Sequence, residues 1–368
     1  MELPQNQNNG YVTVIISVLV LSGFTVMDLA DAVLKWKFFT GDDTTATPAV
    51  ADGVVYFPSW NGYLYAVNAF NGALVWRRHL GELTGLSPIG IVVNVTVSRT
   101  TPAVDDDLIV IGIYGPAVVV AVNRLKGTLV WSTVLDPHPR SQITMSGTPY
   151  SGNILVAGIF YIGVSSLEEA LPPKQCCTFR GGMAKLDIGT GEVLWRTYMI
   201  PDNGGQIGGY SGAALWGSSP AIDIKRGLVY IGTGNLYNAP AEVLEYQARQ
   251  NNQTTPSQPD QCIDDPNVHF DSILALELDT GKIRRFRRFE EYDVNYFACL
   301  VPNNPACPPG PNLDADFGEA PMLLTIFSNS TKRDVVVAVQ KSGYAWALDR
   351  DSGDIVWFNV RTKTKPYI

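Results

Sequence analysis

The chain is poor in charge and lacks a long hydrophobic run. Only 17% of its 368 residues are Asp, Glu, Lys or Arg, and 46% are hydrophobic, which excludes intrinsic disorder as its overall state. The 27 basic side chains are outnumbered by 35 acidic ones, so the chain as a whole offers no basic footprint for nucleic acid. No apolar run reaches the roughly 20 residues that a membrane-spanning helix usually needs, so we expect no stable membrane span.

Signatures of several enzyme classes are also missing from the sequence. No Gly-x-Gly-x-x-Gly motif leads from a strand into a helix, so a nicotinamide-binding fold has no support. His79, His138 and His269 are the only histidines, and they show no zinc spacing. No Cys-x-x-Cys-His motif for haem attachment occurs. Abundant instead are 34 glycines and 24 prolines, about one residue in six, which with 10% aromatics favour a turn-rich β protein.

The N-terminal region carries one apolar stretch, Tyr11–Phe24. Its length suits the core of a signal peptide, and Ala30-Asp31-Ala32 resembles a cleavage site. Because no Lys or Arg precedes the stretch, an uncleaved anchor and a buried strand remain open. We expect residues 1–32 to be a signal peptide or an N-terminal hydrophobic segment, and 33–368 to be one domain.

Sequons and cysteines bear on the compartment. Three Asn-x-Ser/Thr triplets favour the secretory pathway or an extracellular location, and they begin at Asn94, Asn252 and Asn329. Cys299 and Cys307 flank a Pro/Asn loop and could close a disulfide ring, which needs an oxidising compartment. Cys176 and Cys177 form a vicinal pair. A strained disulfide, two free thiols and separate pairing with Cys262 are all open for it.

A repeat runs through the whole chain. An Asp, Asn or Glu is followed four residues later by Gly, and in most copies by Trp four residues after that. The five glycines are Gly72, Gly127, Gly191, Gly281 and Gly353. Trp occupies the last position in four of the five copies, and Arg285 replaces it in the remaining one, the fourth along the chain. Since Asp or Asn side chains bond nearby backbone and Gly adopts positive φ, each copy predicts a β-hairpin.

Each hairpin is preceded by a further apolar strand, which extends the unit. The predicted strands are Val54–Phe57, Leu108–Ile111, Ile154–Ala157, Leu228–Ile231 and Val335–Val339. Proline stands shortly before four of them and before the start of the fifth unit, where it suits the beginning of a strand. Four antiparallel strands per unit make a propeller blade. We therefore predict five blades plus a fragment at Leu34–Phe38, with a β-sandwich as the alternative, and a mobile loop at 247–264.

The ordered repeat resembles the quinoprotein alcohol dehydrogenases, whose blades carry Ala-x-Asp-x-x-x-Gly-x-x-x-Trp. It resembles especially their polyvinyl alcohol dehydrogenase-like branch. The stretches that carry this similarity are Ser165–Glu169, Cys176–Gly181, Gly232–Asn235 and Ala345–Arg350. The resemblance implies an all-β, eight-bladed β-propeller, of which this chain holds about five to six blades. It also implies pyrroloquinoline quinone and Ca²⁺ as cofactors, an alcohol as substrate and a separate electron acceptor.

The resemblance assigns metal ligands to two positions. Glu168 and Asn235 match the metal-binding Glu and Asn of the family, and their oxygens suit a hard cation such as Ca²⁺. From the residues alone, Glu168 is equally a solvated loop acid beside Glu169, and Asn235 is equally a turn residue.

The resemblance also assigns contacts with the quinone. Trp216 matches the flat floor under the planar cofactor, and Lys341 matches a basic residue that reaches the quinone oxygens. Ser146 and Ser165 match hydroxyls that bond the carboxylates of the cofactor. Each has an ordinary structural alternative, namely an inter-blade tryptophan for Trp216 and a surface lysine for Lys341.

The catalytic base is the weakest match. Family members use an Asp near the metal to take the alcohol proton, and Asp293 is the nearest acid in the corresponding stretch. Asp314 and Asp316 are the alternatives. Because members of the family are normally longer than this chain, a truncated or non-catalytic propeller acting as a binding scaffold stays open as a second function.

Overall fold

The computed structural model describes residues 11–13, 34–151, 158–250, 265–328 and 331–360, and strands dominate them. These residues contain five antiparallel sheets, here called blades 1 to 5 in chain order, and two separate two-stranded pairs. Each blade has four antiparallel strands, and blade 3 carries one additional short strand. The predicted all-β architecture and its blades are confirmed, although the predicted strand Ile154–Ala157 lies outside the described residues.

Blades 1 and 2 follow a short pair formed by β1 (Tyr11–Thr13) and β2 (Lys37–Phe39). Their strands are β3 (Ala49–Ala51), β4 (Val54–Pro58), β5 (Tyr63–Asn68), β6 (Leu74–His79), β7 (Ala103–Asp105), β8 (Leu108–Gly112), β9 (Val118–Asn123) and β10 (Leu129–Val134). Helix α1 (Leu80–Thr84) follows β6. In β9 every residue but the last is buried, because neighbouring blades cover both of its faces, whereas β10 is largely exposed.

Blades 3 to 5 complete the described fold. Their strands and the small pair β16–β19 are β11 (Ser141–Gln142), β12 (Thr148–Tyr150), β13 (Ile159–Ser166), β14 (Gly182–Asp187), β15 (Val193–Tyr198), β16 (Ser211–Gly212), β17 (Ala221–Asp223), β18 (Leu228–Gly232), β19 (Leu236–Asn238), β20 (Ser272–Glu277), β21 (Ile283–Arg288), β22 (Met322–Ser328), β23 (Thr331–Val339), β24 (Tyr344–Asp349) and β25 (Ile355–Val360). Short 3-10 helices at Glu168–Ala170, Pro173–Gln175 and Phe297–Leu300 belong to the connecting loops.

Helix α2 (Ala241–Gln250) corrects one expectation. The mobile loop predicted for 247–264 is wrong for residues 247–250, which end this helix, while 251–264 lie outside the described residues. Gln247 is fully buried, accepts a hydrogen bond from the backbone N–H of Val294 at 2.8 Å and donates to its carbonyl at 3.1 Å. A buried amide satisfied in this way stabilises the helix, and polar composition alone does not reveal such a partner.

The blades dock on one another through the repeated tryptophans. Each indole N–H donates to a carbonyl in the next blade, one residue after the Asp, Asn or Glu of that blade's repeat. These pairs are Trp36–Ala69 at 2.9 Å, Trp76–Arg124 at 2.9 Å, Trp131–Ile188 at 3.0 Å and Trp195–Leu278 at 3.1 Å. The repeat glycine must be small, since a Cβ on Gly191 would lie 2.5 Å from the Trp131 ring. Trp36, on the predicted fragment, therefore docks on blade 1 like the others.

The contact between blades 4 and 5 replaces tryptophan by charge. Arg285 donates from Nη1 to the carbonyl of Arg350 at 2.6 Å, the equivalent position in blade 5. Beside it, Arg226 forms ion pairs with Asp223 at 3.1 Å and Asp351 at 2.7 Å. One interface of the fold is thus built on ion pairs, where four others are built on indole rings.

Little of the N-terminal stretch belongs to the described structure. Only residues 11–13 of the predicted segment 1–32 are described, so its role stays a prediction. Among the described ranges, no helix is long and apolar enough to cross a membrane.

Cys299 is disulfide-bonded to Cys307 at 2.08 Å, and Cys176 is bonded to Cys177, whereas Cys262 lies outside the described residues.

Candidate active site

A cavity of about 220 Å³ lies where loops from blades 2 to 5 meet. Four of the predicted site residues line it, although they are far apart in the sequence: Ser165, Trp216, Asn235 and Lys341. The other lining residues are Arg99, Tyr114, Gln142, Thr144, Ser166, Leu167, Glu169, Ala214, Gly234, Tyr237, Asn295, Tyr296, Phe297, Leu300, Asp314 and Asp316. The predicted residues Ser146, Glu168 and Asp293 are not part of this lining.

The carboxylate of Asp316 is the centre of the cavity's hydrogen bonds. Asp316 is only 4% exposed, and its oxygens accept from Lys341 Nζ at 2.7 Å, Trp216 Nε1 at 3.1 Å and the backbone N–H of Asn235 at 2.5 Å. Burial raises the pKa of Asp316, and the Lys341 ammonium opposes that rise. Three of the predicted residues are therefore held together by an acid that the sequence had offered only as an alternative base.

Lys341 is fixed by two carboxylates. Its Nζ contacts Asp314 at 2.6 Å as well as Asp316, and it lies 5.0 Å from the centre of the Trp216 ring. Burial alone would lower the pKa of Lys341, but the two carboxylates raise it above its usual value. The side chain therefore remains a cation throughout the physiological pH range.

Trp216 forms a flat wall because glycines let the backbone approach it closely. A Cβ on Gly318 would lie 2.6 Å from the indole Cη2, and one on Gly234 would lie 3.3 Å from Cδ1. The Trp216 carbonyl accepts a hydrogen bond from Thr144 Oγ1 at 2.6 Å. With its N–H bound to Asp316, the ring has one fixed orientation.

Asn235 follows β18 through a glycine-rich turn. Its Nδ2 donates to the carbonyls of Leu236 at 2.7 Å and Asn295 at 2.5 Å. Both amide protons are thereby used, which leaves the side-chain oxygen as the polar group that Asn235 can offer to a ligand.

Two neighbouring glutamates after β13 have different environments. The carboxylate of Glu168 accepts from the backbone N–H groups of Thr178 and Phe179, both at 2.7 Å, and lies 3.6 Å from His138 Nε2. Burial alone would raise the pKa of Glu168, but the hydrogen bonds from His138, Phe179 and Thr178 lower it overall. Glu168 thus binds its own chain, and its predicted role as a metal ligand stays a prediction.

Of the two glutamates, Glu169 is the one that lines the cavity, and sequence reasoning missed it. Burial raises its pKa to about 8, with Asp316 adding to the rise and Lys341 opposing it. The one hint in the sequence was that two glutamates are adjacent. A match to a family cannot tell which of two adjacent side chains a 3-10 turn directs into the cavity.

Asp293 and Ser146 lie behind the cavity wall. Asp293 is fully buried, and its carboxylate accepts from the backbone N–H groups of Ala315 at 2.8 Å and Asp314 at 3.2 Å. Burial raises its pKa to about 6, against the Ala315 hydrogen bond. Ser146 Oγ accepts from the N–H of Thr101 at 2.9 Å. Neither residue lines the cavity, and Asp293 supports the Asp314–Asp316 segment, so their predicted catalytic and cofactor-binding roles stay predictions.

The cavity also has oxygen atoms without partners. Gln142 Oε1 and Asn295 Oδ1 are buried in its lining and receive no hydrogen bond. Asn235 and Glu169 line the same cavity, and amide and carboxylate oxygens are the ligand type that Ca²⁺ prefers. In the described ranges, however, no three His, Cys, Asp or Glu side chains are grouped as a ready metal site. The cavity thus offers amide oxygens and the carboxylates of Glu169, Asp314 and Asp316 to a ligand.

The fold and this cavity define the class as a propeller built of quinoprotein-type repeats. A family model described as outer membrane protein assembly factor BamB, of the PQQ-repeat type, matches residues 25–286. The chain belongs to this PQQ-repeat, quinoprotein alcohol dehydrogenase-like family, which confirms the family predicted from the repeat.

Curated relatives include two polyvinylalcohol dehydrogenases. The protein from Pseudomonas sp. is 29% identical over 351 residues, covering 91% of this chain and 48% of the relative. The protein from Sphingopyxis sp. (strain 113P3) is 27% identical over 347 residues, covering 90% and 47%. The chain thus spans about half the length of these curated relatives.

Solved structures agree on the fold. A europium-containing methanol dehydrogenase superposes with a TM-score of 0.61 at 18% identity, covering 88% of this chain and 52% of that one. The quinohemoprotein alcohol dehydrogenase from Comamonas testosteroni gives a TM-score of 0.60 at 20% identity, covering 87% and 43%. At these identities the similarity establishes the β-propeller fold.

Proposed function

We propose that this chain binds pyrroloquinoline quinone and Ca²⁺ in the cavity and oxidises an alcohol, whose electrons pass to a separate acceptor. The observation that carries the proposal is the convergence of Trp216, Lys341 and the Asn235 backbone on the carboxylate of Asp316. A flat aromatic wall, a fixed cation and a buried acid at one place suit a planar anionic cofactor and an alcohol proton. The two curated relatives described above are polyvinylalcohol dehydrogenases, which supports the same class of reaction.

The cofactor-facing groups have separate roles. When bound, the quinone supplies a two-electron acceptor for the carbon-bound hydrogen of the alcohol. Trp216 offers its ring face for stacking, and Lys341 places a permanent positive charge where the negative charge of the reduced cofactor develops. Ser165 and Arg99 supply a hydroxyl and a guanidinium from the opposite loops of the lining. Leu167 and Tyr114 are nearly inaccessible to solvent and limit water on that side.

We assign the alcohol proton to Asp316 rather than to Asp293. Asp316 lines the cavity and is oriented by three donors, whereas Asp293 is enclosed behind the wall. Burial raises the pKa of Asp316, which strengthens it as a base in its ionised form, and Lys341 keeps that ionised form accessible.

For the cation, we propose the side-chain oxygen of Asn235 and the carboxylate of Glu169. The unpartnered oxygens of Gln142 and Asn295 are further donors. A divalent cation would favour the ionised form of Glu169, whose pKa is raised without one.

Reconstitution tests the proposal. The protein is mixed with the quinone and Ca²⁺, and turnover of ethanol and 1-butanol is followed with an artificial dye acceptor. We expect turnover in the wild type and at least a hundredfold lower kcat in Asp316→Asn, with quinone binding retained. Asp293→Asn, the control acid behind the wall, should keep kcat within tenfold if folded. Equal losses in both variants, or no turnover in the quinone-loaded wild type, contradict the assignment.

A binding scaffold is the second candidate function. One observation favours it, namely that no three Asp, Glu, His or Cys side chains in the described ranges are grouped as a ready metal site. A folded protein that shows no saturable quinone binding with or without Ca²⁺ would select this function.

A secretory location is also a proposal. Asn94, the first residue of one sequon, is exposed in the described structure, so the modifying enzyme can reach it. Expression in a eukaryotic secretory host should give a glycosidase-sensitive mass shift that Asn94→Gln reduces. A secreted wild-type protein without any such shift contradicts glycosylation at this site.

A further inference from the structure

The rim of the cavity contains a disulfide-closed loop, Tyr296–Pro308, here called the rim loop. Cys299 and Cys307 are bonded across it, and the hydroxyl of Tyr296 donates to the carbonyl of Ala306 at 2.5 Å. Asn312 then ties the end of the loop back, because its Nδ2 donates to the carbonyls of Val294 and Pro308, both at 3.3 Å. These links hold a long loop in one conformation without strand pairing.

The rim loop brings apolar side chains to the cavity. Phe297 and Leu300 both line it, yet they are 45% and 69% exposed. Asn235 and Asp316, which line the same cavity, are only 5% and 4% exposed. This gradient of exposure places Phe297 and Leu300 at the mouth, and Asn235 and Asp316 at the floor.

Apolar and aromatic side chains also line the part of the cavity next to the rim loop. The 3-10 helix Phe297–Leu300 contacts the 3-10 helix Glu168–Ala170, and next to the latter Leu167 lines the cavity. Tyr114 continues this side, with the Arg99 guanidinium 5.7 Å from the centre of its ring. An apolar and aromatic path therefore runs from the exposed Phe297 and Leu300 to the buried Leu167 and Tyr114, while the charged Lys341 and Asp314 reach solvent elsewhere in the lining.

We propose that the rim loop is a specificity element, which selects alcohols with an apolar alkyl or aryl body over small or polyhydroxylated ones. The inference rests on the proposed function, since it requires the hydroxyl to reach Asp316 at the floor. The body of the alcohol then passes Phe297 and Leu300 and covers apolar surface that water otherwise contacts. Exposed Phe and Leu side chains on a loop with a fixed conformation are typical of a surface that binds an apolar part of a ligand.

Removal of apolar surface from water predicts a chain-length series. Each added methylene that reaches the rim should lower KM about threefold to fourfold, until the chain extends beyond Leu300. Glycerol, which has hydroxyls along its whole body, should gain nothing from the rim because it would lose hydrogen bonds to water there.

The test compares the wild type with Phe297→Ser/Leu300→Ser, both loaded with quinone and Ca²⁺, on ethanol, 1-butanol and 1-hexanol. The wild type should show falling KM along the series, and the double variant should flatten it. Leu300→Ser alone, at a position already 69% exposed, covers the case in which the double variant does not fold. Phe70→Ser is the control, because Phe70 is 81% exposed on a blade 1 turn outside the cavity lining.

A second readout separates this inference from the proposed function. Binding of 4-fluorobenzyl alcohol to the protein without quinone is followed by fluorine NMR. Line broadening in the wild type that the rim variant loses supports the inference even if no alcohol is oxidised. If alcohols are oxidised with a KM independent of chain length, the inference is overturned and the proposed function stands. If there is neither broadening nor oxidation, both are overturned.

Discussion

The interfaces between blades and the lining of the cavity are built in opposite ways. The interfaces use the same position of the repeat, where Trp36, Trp76, Trp131 or Trp195 donates to a carbonyl of the next blade and Arg285 takes that place between blades 4 and 5. The cavity takes its side chains from different loops, and none of its polar contacts recurs in another blade. The repeat thus builds the interfaces between blades, whereas the cavity takes its lining from segments outside the repeat positions.

The sharpest test of this comparison removes an interface tryptophan. Trp195→Ala should lower the free energy of unfolding by about 3–5 kcal/mol, because it empties the contact with Gly281 and removes the hydrogen bond to Leu278. The loss is measured by chemical denaturation. Trp357→Ala is the matched control, since Trp357 occupies the same repeat position, is 38% exposed and has no acceptor for its indole in the described part of the chain. Equal losses in the two variants would refute the role of docking.

Glu168 and Glu169 allow the same comparison, between a side chain that binds its own chain and one that lines the cavity, within a single 3-10 turn. Glu168→Gln should cost about 1.5–3 kcal/mol at pH 7, because two backbone N–H groups lose a charged acceptor. The pKa of Glu168 is lowered in the folded state, so its contribution is present above the unfolded pKa and is lost as pH falls through the folded one. Unfolding curves of both proteins should therefore converge below about pH 4. A difference that persists unchanged into acid contradicts this account.

Glu169 should show the opposite pH dependence. A carboxyl whose pKa is raised to about 8 costs stability as pH rises from its unfolded value through the folded one. Without Ca²⁺, the wild type should lose up to about 1.4 kcal/mol per pH unit between pH 6 and 7 relative to Glu169→Gln. Thermal unfolding at both pH values measures it. Parallel behaviour of the wild type and the variant would mean that Glu169 is not desolvated.

The ion-paired interface of blades 4 and 5 gives the smallest effect. Arg226→Met should cost only about 1 kcal/mol, because Asp351 is largely exposed to screening solvent and the buried Asp223 keeps its ion pair with Arg350 at 2.8 Å. The loss should shrink at 1 M salt, which shortens the Debye length. Trp195→Ala should show no such salt dependence. A salt-insensitive loss in Arg226→Met would contradict an ionic interface.

Much of the scaffold could be predicted from the sequence. The Asp, Asn or Glu to Gly spacing is a local signal, and Gly72 and Gly127 have the positive φ that it requires. Trp216, Asn235 and Lys341 lie beside short turns whose geometry their neighbours set, and all three line the cavity.

The remaining site residues depend on contacts that are remote in sequence. Glu168 and Glu169 differ by one step of a 3-10 turn, and the distant Thr178 and Phe179 decide which of them faces inward. Asp293 and Asp316 are separated by the loop that carries the Cys299–Cys307 bond, so spacing alone could not rank them as bases. Such a ranking requires knowledge of which acid is enclosed by backbone donors.

The most direct measurement of the central claim is an equilibrium titration of the protein with pyrroloquinoline quinone in the presence of Ca²⁺. It compares the wild type with Lys341→Met and with Lys332→Met, whose lysine is exposed on β23 away from the cavity. The account predicts saturable one-site binding, at least tenfold weaker in Lys341→Met and unchanged in Lys332→Met. Absence of saturation in the wild type, or equal affinity in all three proteins, would contradict it.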